Sequence, residues 1–265
     1  PDLQFFPVHG GRSMAWTSSR RVDDDYIFIR INHQILPNLS FHSYLFEDGK
    51  KSKHFSRIHM HRWTVPIDDT NCKMIGWRAI GPNIDPRDVG NEDLVGFEKI
   101  DFLEGQCGIR RPERAKYEDG KLPPIPKHHR ERDCYNDAQH APGDYEATAS
   151  QRPIAVHALE NPMKFDGGVY LSRKQLRDAT TGSNPAATGA GWKEWLEGVD
   201  GKPNTYCSGN VLKVPIGSTP EEEVERRRVV AQRCIQAITD ADELPAGERE
   251  AFIQDKMAEV ERDYA

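Results

Sequence analysis

The chain has 265 residues, 29% of them charged and 37% hydrophobic, with a formal net charge of −6. That length suits one large domain, or one domain with an appendage, and can bury a substantial core. The acidic balance argues against a general nucleic-acid binder, which needs clustered cations for phosphates. No apolar run approaches the roughly 20 residues of a membrane-spanning helix, and no basic-then-apolar signal segment is present. The five cysteines, Cys72, Cys107, Cys134, Cys207 and Cys234, are scattered without a C-x-x-C. This pattern speaks against a disulfide framework and for a reduced, cytoplasmic setting.

In chain order, residues 1–82 read as strand-rich. Tyr26 to Ile31 is β-branched and aromatic, apolar enough for a strand buried on most of both faces. Pro37 and Asn38 end it, and Leu39 to Phe46 forms a second run. Glu47-Asp48-Gly49-Lys50 is turn chemistry leading into Phe55 to Val65. A further turn at Pro66 to Asn71 returns the chain through Cys72 to Ile80. Successive strands with short polar turns predict an antiparallel meander. Within Phe55 to Val65, the residues Phe55, Arg57, His59, His61, Trp63 and Val65 alternate, which places them on one face. Two histidines at i and i+2 beside a tryptophan can bind a metal or line a polar, aromatic cavity, and the spacing does not choose.

Residues 83–141 are rich in proline, glycine and charge, with an extended stretch at Lys121 to Pro126 and a charged run at His128 to Arg132. Pro142-Gly143 then breaks the chain before Asp144, which opens a short helical run. A carboxylate there caps a helix N-terminus in the simplest reading. Arg152-Pro153 interrupts again, and Asp166-Gly167-Gly168 leads into a second helix. Thr181 to Ala190 is loop, and Trp192 and Trp195 sit in a short amphipathic piece. Thr219-Pro220-Glu221-Glu222 is a helix start with a capping box and proline at the first helical position. Val224, Val230, Ile235 and Ile238 give that helix an apolar face. Leu244-Pro245 interrupts before a last helix carrying Ile253, Met257, Val260 and Tyr264, so the tail is a helical hairpin.

Two separated motifs, in order, carry a resemblance. Trp63-Thr64-Val65-Pro66-Ile67-Asp68-Asp69-Thr70 is followed by Asp144, Gln151-Arg152-Pro153-Ile154, His157, Asp166-Gly167-Gly168-Val169 and Arg173-Lys174-Gln175-Leu176. This series resembles the C-terminal part of the catalytic domain of Rieske non-heme iron oxygenases of the phthalate type. Ser150 to Ala158 is most similar to aryl-ether O-demethylases of the dehydrodivanillate O-demethylase kind.

The resemblance covers residues 10–180. It implies an α+β, helix-grip (Bet v 1-like) fold, a curved antiparallel sheet around a long helix. The catalytic portion would occupy residues 1–215 and the helical tail residues 216–265. It also implies ring hydroxylation or O-demethylation of an aromatic substrate. A mononuclear Fe(II) centre would do this chemistry, fed by a [2Fe–2S] Rieske cluster and a reductase or ferredoxin, in a homotrimer. Asp144 would be the carboxylate ligand of the iron, and His59, His61 and Trp63 would orient the substrate. The family's iron histidines (D-x-x-H-x4-H) and its cluster motif (C-x-H with C-x-x-H) are not found in these residues, and His9, His33 and His42 lack the iron-ligand spacing. The expectation is therefore a catalytic-domain fragment that begins after the iron histidines. Two other readings stay open. One is a helix-grip module binding an apolar or aromatic molecule without catalysis. The other is a separate metalloenzyme using His59 and His61 with a carboxylate such as Asp144.

Overall fold

A computed structural model describes residues 2–43, 51–57, 60–78, 151 and 154–265. The chain divides into two units: Pro1–Thr64 with Met74–Val89 and Pro162–Ala265, and Val65–Lys73 with Gly90–Asn161. In the second unit the described residues comprise the hairpin tip, where Asp68 Oδ1 accepts from the Thr70 and Asn71 main chain at 2.8 Å each, and a short 3-10 turn at His157–Leu159.

The first unit is built on antiparallel strands. They are β1 (Asp2–Val8), β2 (Ser13–Arg21), β3 (Tyr26–Ile35), β4 (Leu39–His42), β5 (Lys53–Ser56), β6 (Met60–Pro66), β7 (Cys72–Arg78) and β8 (Ser208–Lys213). The open sheet runs β1-β2-β3-β4-β6-β7, with β8 pairing to β3 and β5 to β8. The meander expected from the turns is thus present for β3, β4, β6 and β7.

One expectation needs correcting. Phe55 to Val65 is two strands rather than one. Phe55 sits at φ 53, in the left-handed region, and the register with β8 shifts between Lys53 and Ser56. Its buried ring belongs to the core, and its N–H donates to Asn210 Oδ1 at 2.8 Å. Alternation therefore does not carry Phe55 and Arg57 onto the face shared by His61 and Trp63.

Among the described residues there are four α-helices: α1 (Gly167–Thr181), α2 (Gly189–Gly198), α3 (Pro220–Asp240) and α4 (Arg249–Arg262). None is long and apolar enough to cross a membrane. Thr219 caps α3 by accepting from the Glu222 N–H at 3.2 Å, with Pro220 at the first helical position as read from the sequence. α1 lands on β1 through Gly168, where a Cβ would come within 2.3 Å of the Phe5 ring. Gln175 ties α1 to β2 by donating to the Ser13 carbonyl at 2.9 Å.

The core lies between one face of the sheet and the α3–α4 hairpin. Ile27, Ile29, Ile31 and Leu212 from the sheet pack with Val230, Ile235, Ile238, Ile253, Met257 and Val260 from the helices. Each fully buried aliphatic side chain contributes about 1.5–3 kcal/mol relative to exposure, so this seam holds the hairpin to the sheet.

Candidate functional site

β3 places Ile27, Ile29, Ile31 and His33 on one face, two residues apart. Strand pairing extends that face sideways, because His33 stands opposite Phe41 on β4, and Phe41 opposite His61 on β6. The aliphatic stripe under the helices thus gives way, toward one end of β3, to a row of imidazoles and aromatic rings. His33 stacks on Phe41 with centroids 5.7 Å apart, and Phe41 meets His61 at 6.0 Å. His61 packs edge-on against Trp77 at 3.9 Å, and Trp63 lies 5.2 Å from Trp77.

Two of the residues singled out in the sequence, His61 and Trp63, therefore stand together on β6. His61 lines an open cavity of ≈ 420 Å³ with Phe55, Arg57, Cys207 and Arg249. Its Nε2 is buried and has no hydrogen-bond partner among the described residues. Burial pulls its pKa below the ordinary value. His59 and Asp144 lie outside the described residues.

At the other end of the row is a cluster that spacing did not reveal. His9 sits in the β1–β2 turn, where His9, Gly10 and Gly11 all take positive φ, and the side chain turns back over the sheet face. Its Nδ1 is 2.8 Å from Ser13 Oγ, and the same oxygen is 3.0 Å from His33 Nε2. Ser13 and His33 are fully buried. The His9 ring also lies against Trp195 of α2 at 4.7 Å and Tyr206 at 4.9 Å. Tyr206 donates to Asp242 Oδ2, and Asn204 donates to Asp242 Oδ1 at 2.8 Å. Arg12 donates to the His9 carbonyl at 2.9 Å and to the Gly191 carbonyl at 3.2 Å, with its guanidinium over Trp195. His9, Arg12, Trp195, Asn204, Asp242 and Arg249 border a cavity of ≈ 1330 Å³.

Burial sets the protonation here. It lowers the His9 pKa to about 4, against an opposing pull from Asp242 and with smaller pushes from Arg12 and Arg249. It holds His33 well below the ordinary imidazole, with His9 adding to the shift. Burial also raises the Tyr206 hydroxyl, and its bond to Asp242 adds to that. At neutral pH both imidazoles are uncharged, and each has one N–H and one lone pair.

The missed cluster draws on positions 9, 13, 33, 195, 204, 206 and 242, so no local motif announces it. One sequence signal does point to it: His33 continues the isoleucine stripe at 27, 29 and 31 at strand spacing, as a polar residue on a buried face. β8, which carries the face onward from β3, was not read from the sequence either. Its stretch Ser208-Gly209-Asn210 is polar because Asn210 works inside the sheet, donating to the Ile29 carbonyl at 3.2 Å and to Ser208 Oγ at 3.0 Å.

Among the described residues, no group of three or more His, Cys, Asp or Glu side chains is arranged to hold a metal ion. His54, on β5, has its Nε2 3.1 Å from Glu261 Oε2. The described residues do not supply the donor set that mononuclear iron requires, and no chemical step through iron is derived from them.

Fold and site together define an α+β protein with an antiparallel sheet whose face carries, next to the aliphatic core, a row of imidazole and aromatic side chains. Over 265 residues the chain is 32% identical to the oxygenase subunit of tert-butanol monooxygenase / tert-amyl alcohol desaturase from Aquincola tertiaricarbonis. The match takes in 98% of this chain and 50% of that subunit, so the chain spans about half the length of the curated relative it matches. No family model and no solved structure matches the chain. The matched relative is thus an oxygenase subunit, and the match runs along nearly the whole of this chain.

Proposed function

We propose that this chain is the substrate-binding, C-terminal portion of the catalytic domain of a Rieske non-heme iron oxygenase, with its sheet and α3 in a helix-grip arrangement. The observation that carries the reading is identity to an oxygenase subunit along nearly the whole chain. The His61–Trp63–Trp77–Phe41 surface adds support, because a planar ring can stack on it while the imidazole supplies one polar contact. In this reading Asp144 is the carboxylate ligand of a mononuclear iron, and its histidine partners and the [2Fe–2S] cluster belong to the remainder of the subunit. The iron would activate dioxygen with electrons from a partner reductase. The described residues bind and orient the substrate. The aromatic surface favours hydroxylation of a ring or O-demethylation of an aryl ether.

A second reading follows from the relative's name, which gives tert-butanol and tert-amyl alcohol as its substrates: a small branched alcohol in place of a ring. Turnover of the full subunit with its reductase separates the two. Formaldehyde or a hydroxylated arene from aromatic substrates supports the first reading, and oxidation of branched alcohols alone supports the second. Binding of aromatic molecules with no oxygen consumption in the full subunit would instead favour a non-catalytic ligand-binding module.

A further inference from the structure

α2 and the turn after it run over the larger cavity between two firm anchors. The first is at the start of α2. Thr188 caps the helix by accepting from the Gly191 N–H at 3.3 Å, and a Cβ on the buried Gly191 would come within 2.3 Å of the Pro185 carbonyl. Pro185–Ala187 is a 3-10 turn, and Asn184 before it donates to the Gly10 carbonyl at 3.0 Å. The second anchor is the buried Asn204, which donates to the Ile238 carbonyl at 2.9 Å and to Asp242 Oδ1 at 2.8 Å. Between the anchors, none of residues 192–203 is buried. Yet Glu194, Trp195, Val199 and Lys202 from this stretch line the ≈ 1330 Å³ cavity.

Few contacts hold the stretch down. The Trp195 ring lies 4.7 Å from His9, and the Arg12 guanidinium stands 5.5 Å over Trp195. Apart from the turns of α2 itself, the hydrogen bond that ties the stretch across to another element, among the described residues, is an exposed one. It runs from Arg249 Nη1 to the Lys202 carbonyl at 2.7 Å. Arg249 Nε donates to the Leu244 carbonyl at 2.8 Å, so one guanidinium clasps the turn after α2 to the turn between α3 and α4. Segments with little buried apolar surface and solvent-exposed hydrogen bonds open locally, ahead of the core. Asp200 and Gly201, at φ 52 and 65, form the reversal on which the end of α2 can pivot. The two cavities also meet at this clasp, because Lys202, Asn204, Ala246 and Arg249 border both.

We propose that residues 192–203 form a lid, hinged at Gly191 and Asn204 and latched by Arg249, whose opening admits a ligand past His9 to the His61 cavity. In the closed state, Arg249 holds the Lys202 carbonyl and Trp195 covers His9. In the open state both contacts are released together, and the two cavities join at Lys202. The lid stands on this geometry alone; that the molecule it admits is a substrate rests on the proposed oxygenase function.

Hydrogen exchange and thiol labelling of the full 265-residue chain test the lid. Amides of residues 193–202 should exchange together, at least about 100-fold faster than those in the middle of α3. Exchange as slow as that of α3 overturns the lid, and this wild-type result decides alone if the variant below does not fold. Cys207 borders the His61 cavity and Cys234 lies in the core, and both are buried. Arg249→Ala should speed iodoacetamide labelling of Cys207, read peptide by peptide, by about 2–10-fold, the worth of one exposed hydrogen bond, and leave Cys234 unchanged. Equal acceleration at both cysteines reports global unfolding and contradicts the lid, as does no acceleration at Cys207. Arg57→Ala removes a cation from the same cavity without touching the latch, because Arg57 pairs with Glu250. It should leave the exchange of residues 193–202 unchanged, and a change equal to that of Arg249→Ala would contradict the latch. In the complete subunit with its reductase, Arg249→Ala should raise kcat/KM by about 2–10-fold, the same hydrogen bond read as easier entry. Unchanged kcat/KM contradicts the route to His61. A wild-type subunit that consumes no oxygen contradicts the oxygenase reading, and exchange and labelling still decide the lid.

Discussion

The same sheet face is built in two ways. Under α3 and α4 it is aliphatic, close-packed and dry, with Ile27, Ile29, Ile31 and Leu212 against Ile238, Ile253 and Met257. From His33 through Phe41 to His61 it is imidazole and aromatic, with buried nitrogens left unmatched among the described residues. A sheet selected for stability alone would continue the isoleucines, because buried polar atoms without partners oppose folding. The contrast marks the helix-covered part as the source of stability and the other as the part we propose for ligand binding.

Substitutions should split along that line. Ile238→Ala, in the helix-covered part, should cost about 2–5 kcal/mol in denaturant unfolding while leaving ligand binding at the aromatic row intact once the protein is folded. A loss of ligand binding in the folded variant would blur the division.

Acid should strike the imidazole part. Burial holds His9 near 4, below the ordinary 6.5, and His33 well below it, so the unfolded chain takes up these protons first. Stability is therefore full above about pH 6.5 and falls as the pH drops toward 4. Chemical denaturation at stepped pH checks this, and His9→Gln should flatten the fall.

Tyr206→Phe removes the donor to Asp242 and leaves a carboxylate oxygen short of a partner, for a loss of about 1–3 kcal/mol by the same unfolding measurement. Trp63→Ala should weaken binding of a planar aromatic ligand by about 2–10-fold, the worth of one aromatic contact, read by titration calorimetry, with little change in unfolding midpoint. The smallest effect is expected at the exposed Arg57–Glu250 pair, where Arg57→Ala should cost less than about 1 kcal/mol.

What could be read from the sequence followed from local chemistry. The caps at Thr219 and Pro220, the break at Leu244-Pro245 and the turns around Asp68 act within a few residues, and the strand and helix patterns beside them are short-range. β8 escaped because Asn210 and Ser208 make it look like loop, although they are satisfied inside the sheet. The split of Phe55 to Val65 escaped because a left-handed Phe55 leaves no trace in an alternating pattern. His61 and Trp63 could be read as neighbours because they share a strand, whereas His9, Ser13, His33 and Tyr206 meet only through strand pairing and a turn. Pairing over such separations is set by the whole fold and not by local spacing.

The aromatic part of the face has meaning as an oxygenase surface only if an iron centre serves it, and Asp144 is the residue of this chain that the account commits to that centre. The direct measurement is the iron content of the complete subunit after reconstitution with Fe(II), compared between wild type and Asp144→Ala with cluster iron counted separately from its absorbance. The account predicts one mononuclear iron per subunit in the wild type and its loss in Asp144→Ala, with the cluster retained. Full mononuclear iron in Asp144→Ala, or none in the wild type, would contradict it.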